Sequence, residues 1–278
     1  MTYCLATLVD DGIVLASDTR TSASFDDVRV HSKMHVFEYP GERVFVLMSA
    51  GNLGTTQATV ARLGRDAADA NAATSLRTVR HMFEAADYVG QTLVASQQQI
   101  GANGTGGVNL EATLILGGQI RGERPSLYLI YPLGNWIAAS PETPYLQIGE
   151  SKYGKPILDR VIRPDTSLED AARCALVSLD STIRSNVSVG LPIDLAVVRD
   201  GDLAVSHRMR LDADTPLYVE IHDAWSQRLE SAVRTLPRFD WEPPQAPAPD
   251  ASRPQQRPAP ARPDLIATVA EQAAQQQQ

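Results

Sequence analysis

Two strand-like runs, residues 2–9 and 13–17, open the chain on either side of Asp10-Asp11-Gly12. An Asp-Gly pair between two such runs is a hairpin signal. The chain is therefore committed to antiparallel pairing from its second residue. A matching signal, Asp200-Gly201, lies between Ile193–Arg199 and Leu203–Arg210 near the other end. Between the two hairpins the hydrophobic period changes in blocks. Strands are expected near 34–38 and 43–49, then a helix over Leu53–Arg65 and another over about 75–98. The second helix carries Leu76, Val79, Met82, Phe83, Ala86, Leu93 and Val94 on one face. Strand-like runs follow at 111–117, 126–131 and 135–140. Helices are expected over Lys152–Val161, Leu168–Arg184 and 222–234. Ser167, with Asp170 three residues on, marks the start of the second of these. Strands, two helices, strands, two helices, strands: this order predicts α+β sheet layers covered by helices rather than alternating βαβ units. A four-layer αββα sandwich fits, and periodicity alone does not separate it from a generic α+β domain.

Composition bounds the rest. The chain has 278 residues, and half of its 18 prolines lie from Pro237 onward, among Ala, Gln and Arg. Such a stretch buries too little apolar surface to offset its ordering entropy. The expectation is a folded domain over 1–236 and a disordered tail over 237–278, with a weak helical tendency at Leu265–Ala274. A formal net charge of -8 argues against a nucleic-acid partner. No run approaches the roughly 18 apolar residues a membrane span needs, and the N-terminus lacks signal-peptide character. Two cysteines, Cys4 and Cys174, make neither a disulfide framework nor a metal cluster. These features point to a soluble, reduced, cytoplasmic enzyme or assembly subunit.

Chemistry can begin at Thr2. Trimming of Met1 would leave a free α-amine on a residue that carries a hydroxyl. That amine, with a reference pKa of about 7.7–8.0, can accept the hydroxyl proton near neutral pH. One residue then supplies nucleophile and base. Asp18 ends the second strand of the opening hairpin, which folds it back toward Thr2. Lys33 precedes the next strand, where an ammonium could lower the proton affinity of the hydroxyl. Taken singly, Asp18 also reads as a turn carboxylate and Lys33 as a solvated amine. Ser49-Ala50-Gly51-Asn52-Leu53-Gly54 joins a strand to a helix, and a backbone N–H there can face a developing oxyanion. The five histidines show no metal-ligand spacing. Gly101 to Gly107 lacks the Lys-Ser or Lys-Thr of a phosphate loop and reads as a mobile connection. No metal and no cofactor is expected.

In this order, the pieces resemble the proteasome β-subunit family: Thr at the mature start, Asp18-Thr19-Arg20 after the hairpin, Lys33, and Ala50-Gly51 leading into a helix. The likeness extends to Ile148-Gly149-Glu150-Ser151 and Asn186-Val187-Ser188-Val189-Gly190, and so covers about residues 2–210. Within the family, Met1-Thr2-Tyr3-Cys4, Ser17–Thr21, Lys33–Phe37 and Tyr153–Asp159 look most like the bacterial ancestral β-subunit branch, Anbu. The resemblance implies the N-terminal-nucleophile αββα sandwich and amide cleavage through an acyl-threonine. Thr2 would be nucleophile, Asp18 and Lys33 would tune it, and the Gly51 N–H would receive the oxyanion. Glu150, Ser151, Asn186 and Ser188 would form the supporting shell, and Ser49, Leu53 and Thr21 the substrate pocket. Glu150 stands where the family often has Ser, and Asn186 where it has Asp. The proton network is thus altered, implying slow turnover on ordinary peptides. Leu53 implies a shallow pocket for small or flat residues. The implied partners are copies of the chain in a ring or open spiral, and a peptide or protein substrate. The sequence assigns no unfoldase.

Two other functions fit the same residues. One is an amidohydrolase for a small or isopeptide amide. The other is a non-catalytic assembly subunit, against which the immediate start of a strand after Met1 argues.

Overall fold

Alternation along the strands sorts the side chains into three cores and so sets the layers. The computed structural model describes residues 2–22, 28–102 and 107–243. Along the chain it forms β1 (Tyr3–Val9), β2 (Gly12–Asp18), β3 (Arg20–Ser22), β4 (Val28–Val30), β5 (Met34–Tyr39), β6 (Arg43–Gly51), α1 (Leu53–Ala68) and α2 (Met82–Gly101). There follow β7 (Ala112–Ile120), β8 (Ser126–Ile130), β9 (Trp136–Ala138), β10 (Tyr145–Gly149), α3 (Lys155–Val161), α4 (Leu168–Ser185), β11 (Ile193–Arg199), β12 (His207–Leu211) and α5 (Pro216–Arg234).

One five-stranded sheet has the order β10-β1-β2-β11-β12, the other β5-β6-β7-β8-β9. All pairings are antiparallel. On β1, Cys4 and Ala6 face the second sheet, while Tyr3 and Leu5 face α3 and α4. On β6, Val44, Val46 and Met48 meet the first sheet, while Phe45 and Leu47 pack under α1 and α2. The result is a four-layer αββα sandwich. The middle core is built from both sheets, with Ile13, Leu15, Ile115 and Leu127 among its buried members. A compact unit runs to Arg234, and a second unit begins at Thr235.

Several elements differ from their sequence expectation. The second helix starts at Met82, not near 75. Arg43 Nη1 donates to the Val79 carbonyl at 2.6 Å, and the Arg80 amide donates to Glu84 Oε2 at 2.8 Å. Those bonds hold residues 75–81 as turns, while Leu76 and Val79 still enter the outer core. Phe83 instead lies outside, stacked on His81. β10 was not anticipated: it has only five residues between Pro144 and Gly149, too few to show a period. The short β3–β4 ribbon was likewise missed. β12 begins at His207, because the Arg199 amide donates to the Ser206 hydroxyl and lengthens the turn. β9 is confined to three residues, α3 begins at Lys155, and α5 begins at Pro216, earlier than residue 222. Residues 103–106 of the expected connection, and the helical tendency at Leu265–Ala274, lie outside the described residues.

Candidate active site

The site forms where the starts of β1 and β5 meet the ends of β2, β6 and β10. The hairpin register pairs Cys4 with Ser17, which carries Asp18 to the level of Tyr3. The Tyr3 amide, next along the chain from Thr2, donates to Asp18 Oδ1 at 3.0 Å. Lys33 Nζ donates to the same oxygen at 2.5 Å and to the Arg20 carbonyl at 2.7 Å. The Gly190 amide donates to Asp18 Oδ2 at 3.2 Å. Both side chains of the pair are buried, 6% exposed for Lys33 and 0% for Asp18. Burial pushes the Asp18 carboxyl above the usual carboxylate range, while the Lys33 ammonium and the Tyr3 and Gly190 amides pull it down. Every partner named is an N–H donor, and only the ionised carboxylate accepts from all of them. The structure therefore brings Asp18, Lys33 and the Tyr3 amide, next along the chain from Thr2, into one hydrogen-bonded unit.

Thr2 itself is half-buried, and its carbonyl accepts from the Glu150 amide at 2.8 Å, so the β1–β10 ladder continues one residue past Tyr3. Gly149 permits this. Its φ is +81°, and a Cβ there would run into the Thr2 carbonyl oxygen. The Glu150 carboxylate lies 3.4 Å from Lys152 Nζ. The Ser151 amide closes the turn onto the Gly149 carbonyl at 2.9 Å. Asn186 ends α4, and its Oδ1 accepts from the Ser188 amide at 2.9 Å and the Ser188 hydroxyl at 2.6 Å. This turn needs only an acceptor oxygen, so an amide serves where a carboxylate would. It leads to Gly190, whose amide holds Asp18.

The remaining candidate residues lie on β3, β6 and the first turn of α1. Gly51 ends β6 with φ +114°, and a Cβ there would lie 2.5 Å from the Glu111 carbonyl. Ser49 is buried, and its amide donates to the Lys33 carbonyl at 3.2 Å. Leu53 opens α1 and is 39% exposed, under the Asn52 cap whose Oδ1 accepts from the Thr55 amide. Thr21 lies on β3, opposite Arg29. Beside Gly51 and Gly149 opens a cleft of about 450 Å³, lined also by Ala50, Glu111, Ala112, Leu129 and Tyr131.

Sequence reasoning gave no role to three groups. Arg20 Nη1 donates to the Val187 carbonyl at 2.8 Å and braces the 186–190 turn. Gly190 supplies its amide. Tyr3 sends its side chain through the helix-side core, where its hydroxyl shares a hydrogen bond with Ser178 Oγ at 2.7 Å and accepts from Gln147 Nε2. Arg20 and Gly190 stand in motifs recognisable in the sequence, but their contacts join segments more than 160 residues apart. Among the described residues no group of three or more His, Cys, Asp or Glu is placed to hold a metal ion. Nor, among them, is any helix long and apolar enough to cross a membrane.

The family model described as "Proteasome subunit" matches residues 2–198. Solved structures agree. Anbu (ancestral beta-subunit) from Yersinia bercovieri is 43% identical, with a TM-score of 0.81 over 87% of this chain and 100% of that one. The helical assembly of the Anbu complex from Pseudomonas aeruginosa is 43% identical, with a TM-score of 0.82 over 86% of this chain and 98% of that one. Anbu from a Hyphomicrobium species is 43% identical, with a TM-score of 0.79 over 86% of this chain and 100% of that one. A comparison with curated proteins returned no match.

Proposed function

The chain belongs to the proteasome subunit family, its likeness there being to the bacterial ancestral β-subunits, and from that premise we propose that it is a threonine-dependent amide hydrolase. The observation that carries this reading is the shared oxygen of Asp18, bonded to the Lys33 ammonium and to the amide that follows Thr2. A buried ion pair is costly to desolvate and is weak evidence of stabilisation. The pair is bonded to the amide that follows Thr2, and a threonine that supplies both amine and hydroxyl would give it a chemical use.

The proposed sequence of steps is as follows. Removal of Met1 frees the Thr2 amine, which takes the Thr2 hydroxyl proton as the oxygen attacks the amide carbon. The positive charge of Lys33 lowers the cost of the developing alkoxide. The tetrahedral oxyanion forms against the Gly51 N–H. Collapse expels the amine of the cleaved bond, which leaves with the proton held by the α-amine, and an acyl-Thr2 remains. Water then attacks the ester, its proton passing to the same amine; collapse breaks the bond to the Thr2 oxygen, which takes that proton back from the amine, and the acid departs. Asp18 stays ionised throughout and positions Lys33. Ser49, Leu53 and Thr21 form the pocket for the substrate side chain. Multiple copies assemble, as the helical Anbu assembly from Pseudomonas aeruginosa does, and confine the nucleophile. The work is proposed to take place in the cytoplasm, on a peptide or protein substrate.

Mass spectrometry of the purified full chain, treated with an epoxyketone or β-lactone, tests the reading. Loss of Met1 and a covalent adduct on Thr2, absent from Thr2→Ala, are expected. Retained Met1, or an acetylated Thr2, would remove the base and overturn it.

A further inference from the structure

The cleft beside Gly51 and Gly149 has a use that the Thr2 chemistry does not supply. It lies between the end of β10 in one sheet and, in the other, the ends of β6 and β8 and the start of β7. Lys33 precedes β5 and bonds Asp18 at the end of β2, and these strands lie across β6 from β7 and across β1 from β10. Its floor is apolar: Ala50, Ala112, Leu129 and Ile148. Its volume of about 450 Å³ admits one long side chain with its backbone.

Asn109, Thr113 and Gln147 add polar groups to its lining, and Glu111 and Tyr131 give it a carboxylate and an aromatic ring. Glu111 is exposed, and its backbone is fixed on both sides: the Asn52 amide donates to its carbonyl at 2.9 Å, and its own amide donates to Asn109 Oδ1 at 2.8 Å. Its carboxylate meets Asn109 Nδ2 at 3.5 Å, and among the described residues no lysine, arginine or histidine pairs with it. Tyr131 adds an aromatic ring that is 36% exposed. A carboxylate and an aromatic face above an apolar floor are the complement of a cation on an aliphatic stem. We infer that this cleft binds a cationic group of the substrate, a lysine or arginine side chain or a free ammonium, at a position away from the pocket of Ser49, Leu53 and Thr21. The inference rests on the peptide-hydrolase reading for the kind of ligand, and it assigns Glu111 the role of charge selector.

The test uses binding, so it does not depend on turnover. The full chain carrying Thr2→Ala is titrated calorimetrically with acetyl-Gly-Lys-Gly-amide, its arginine and norleucine counterparts, and Gly-norleucine-Gly-amide with a free amine. A charged contact of this kind is worth about tenfold in affinity. Lysine and arginine peptides should therefore bind about tenfold tighter than acetylated norleucine, and adding Glu111→Gln should bring them level. A gain shown by the free-amine peptide alone, and lost with Glu111→Gln, identifies a terminal ammonium as the ligand and equally supports the site. Equal affinities in the parent chain, or a preference that Glu111→Gln leaves intact, would overturn the assignment. Failure of Thr2 to take a covalent label sinks the hydrolase reading alone and leaves this binding result standing.

Discussion

Lys33→Met leaves the Asp18 carboxylate buried without its counter-charge, and a loss of about 3–5 kcal/mol is expected. Asp18→Asn combined with Lys33→Met should recover most of that loss, since two neutral groups replace a broken pair. Denaturant midpoints of the single and double variants check this; additive losses would refute the coupling. The thiols make a second residue-scale case. Burial pushes Cys174 up to about 12 and raises Cys4 further. Both thiols therefore stay protonated near neutral pH, and the thiolate is the reactive form. Neither cysteine should react with a disulfide reagent in the native chain, and both should react once it is unfolded. His35 gives the pH dependence. Burial, with His31 and Arg208 nearby, lowers its pKa, so the unfolded chain binds the proton more tightly. Stability contributed by neutral His35 is present above about pH 6.5 and falls as pH drops through that value. His35→Gln should flatten the acid limb of a melting-temperature profile, and an unchanged slope would assign that limb elsewhere.

Among the elements, the turn after β10 governs where Thr2 sits. Gly149→Ala forces a Cβ toward the Thr2 carbonyl and requires a positive φ of a residue that resists it. Covalent labelling of Thr2 should fall at least about tenfold while helix content stays unchanged by circular dichroism. Asn52→Ala removes the cap of α1, which costs about 1 kcal/mol, and frees the Asn109 carbonyl that the Asn52 side chain holds at 3.0 Å. What could be read from the sequence follows the range of the contact. Asp18 and Thr2 were legible together because a tight hairpin joins their strands. Of the apolar stripe, Leu76, Val79, Met82, Ala86 and Leu93 are buried while Phe83 is exposed, and the start of α2 is fixed by Arg43 from a distant strand. β10 and the roles of Arg20 and Gly190 were illegible for the same reason: each depends on a partner segment that no local pattern reveals. Glu111 carries no motif and became visible only once a cleft surrounded it.

For the molecule as a whole, stability resides in the cores between layers. Leu15 is fully buried where the two sheets face each other. Leu15→Ala should cost about 2–5 kcal/mol, read as a shift in the denaturant midpoint with the slope preserved. The domain boundary is proposed near residue 236, and a chain ending there is expected to keep its melting temperature. The amide of Gly190 holds Asp18 across a separation of 172 residues, from the turn ahead of β11, which emerges late from the ribosome. A nascent chain halted before that point has β1 and β2 but lacks the donor to Asp18 Oδ2. An unfinished molecule therefore lacks one of the donors that cradle its own first residues.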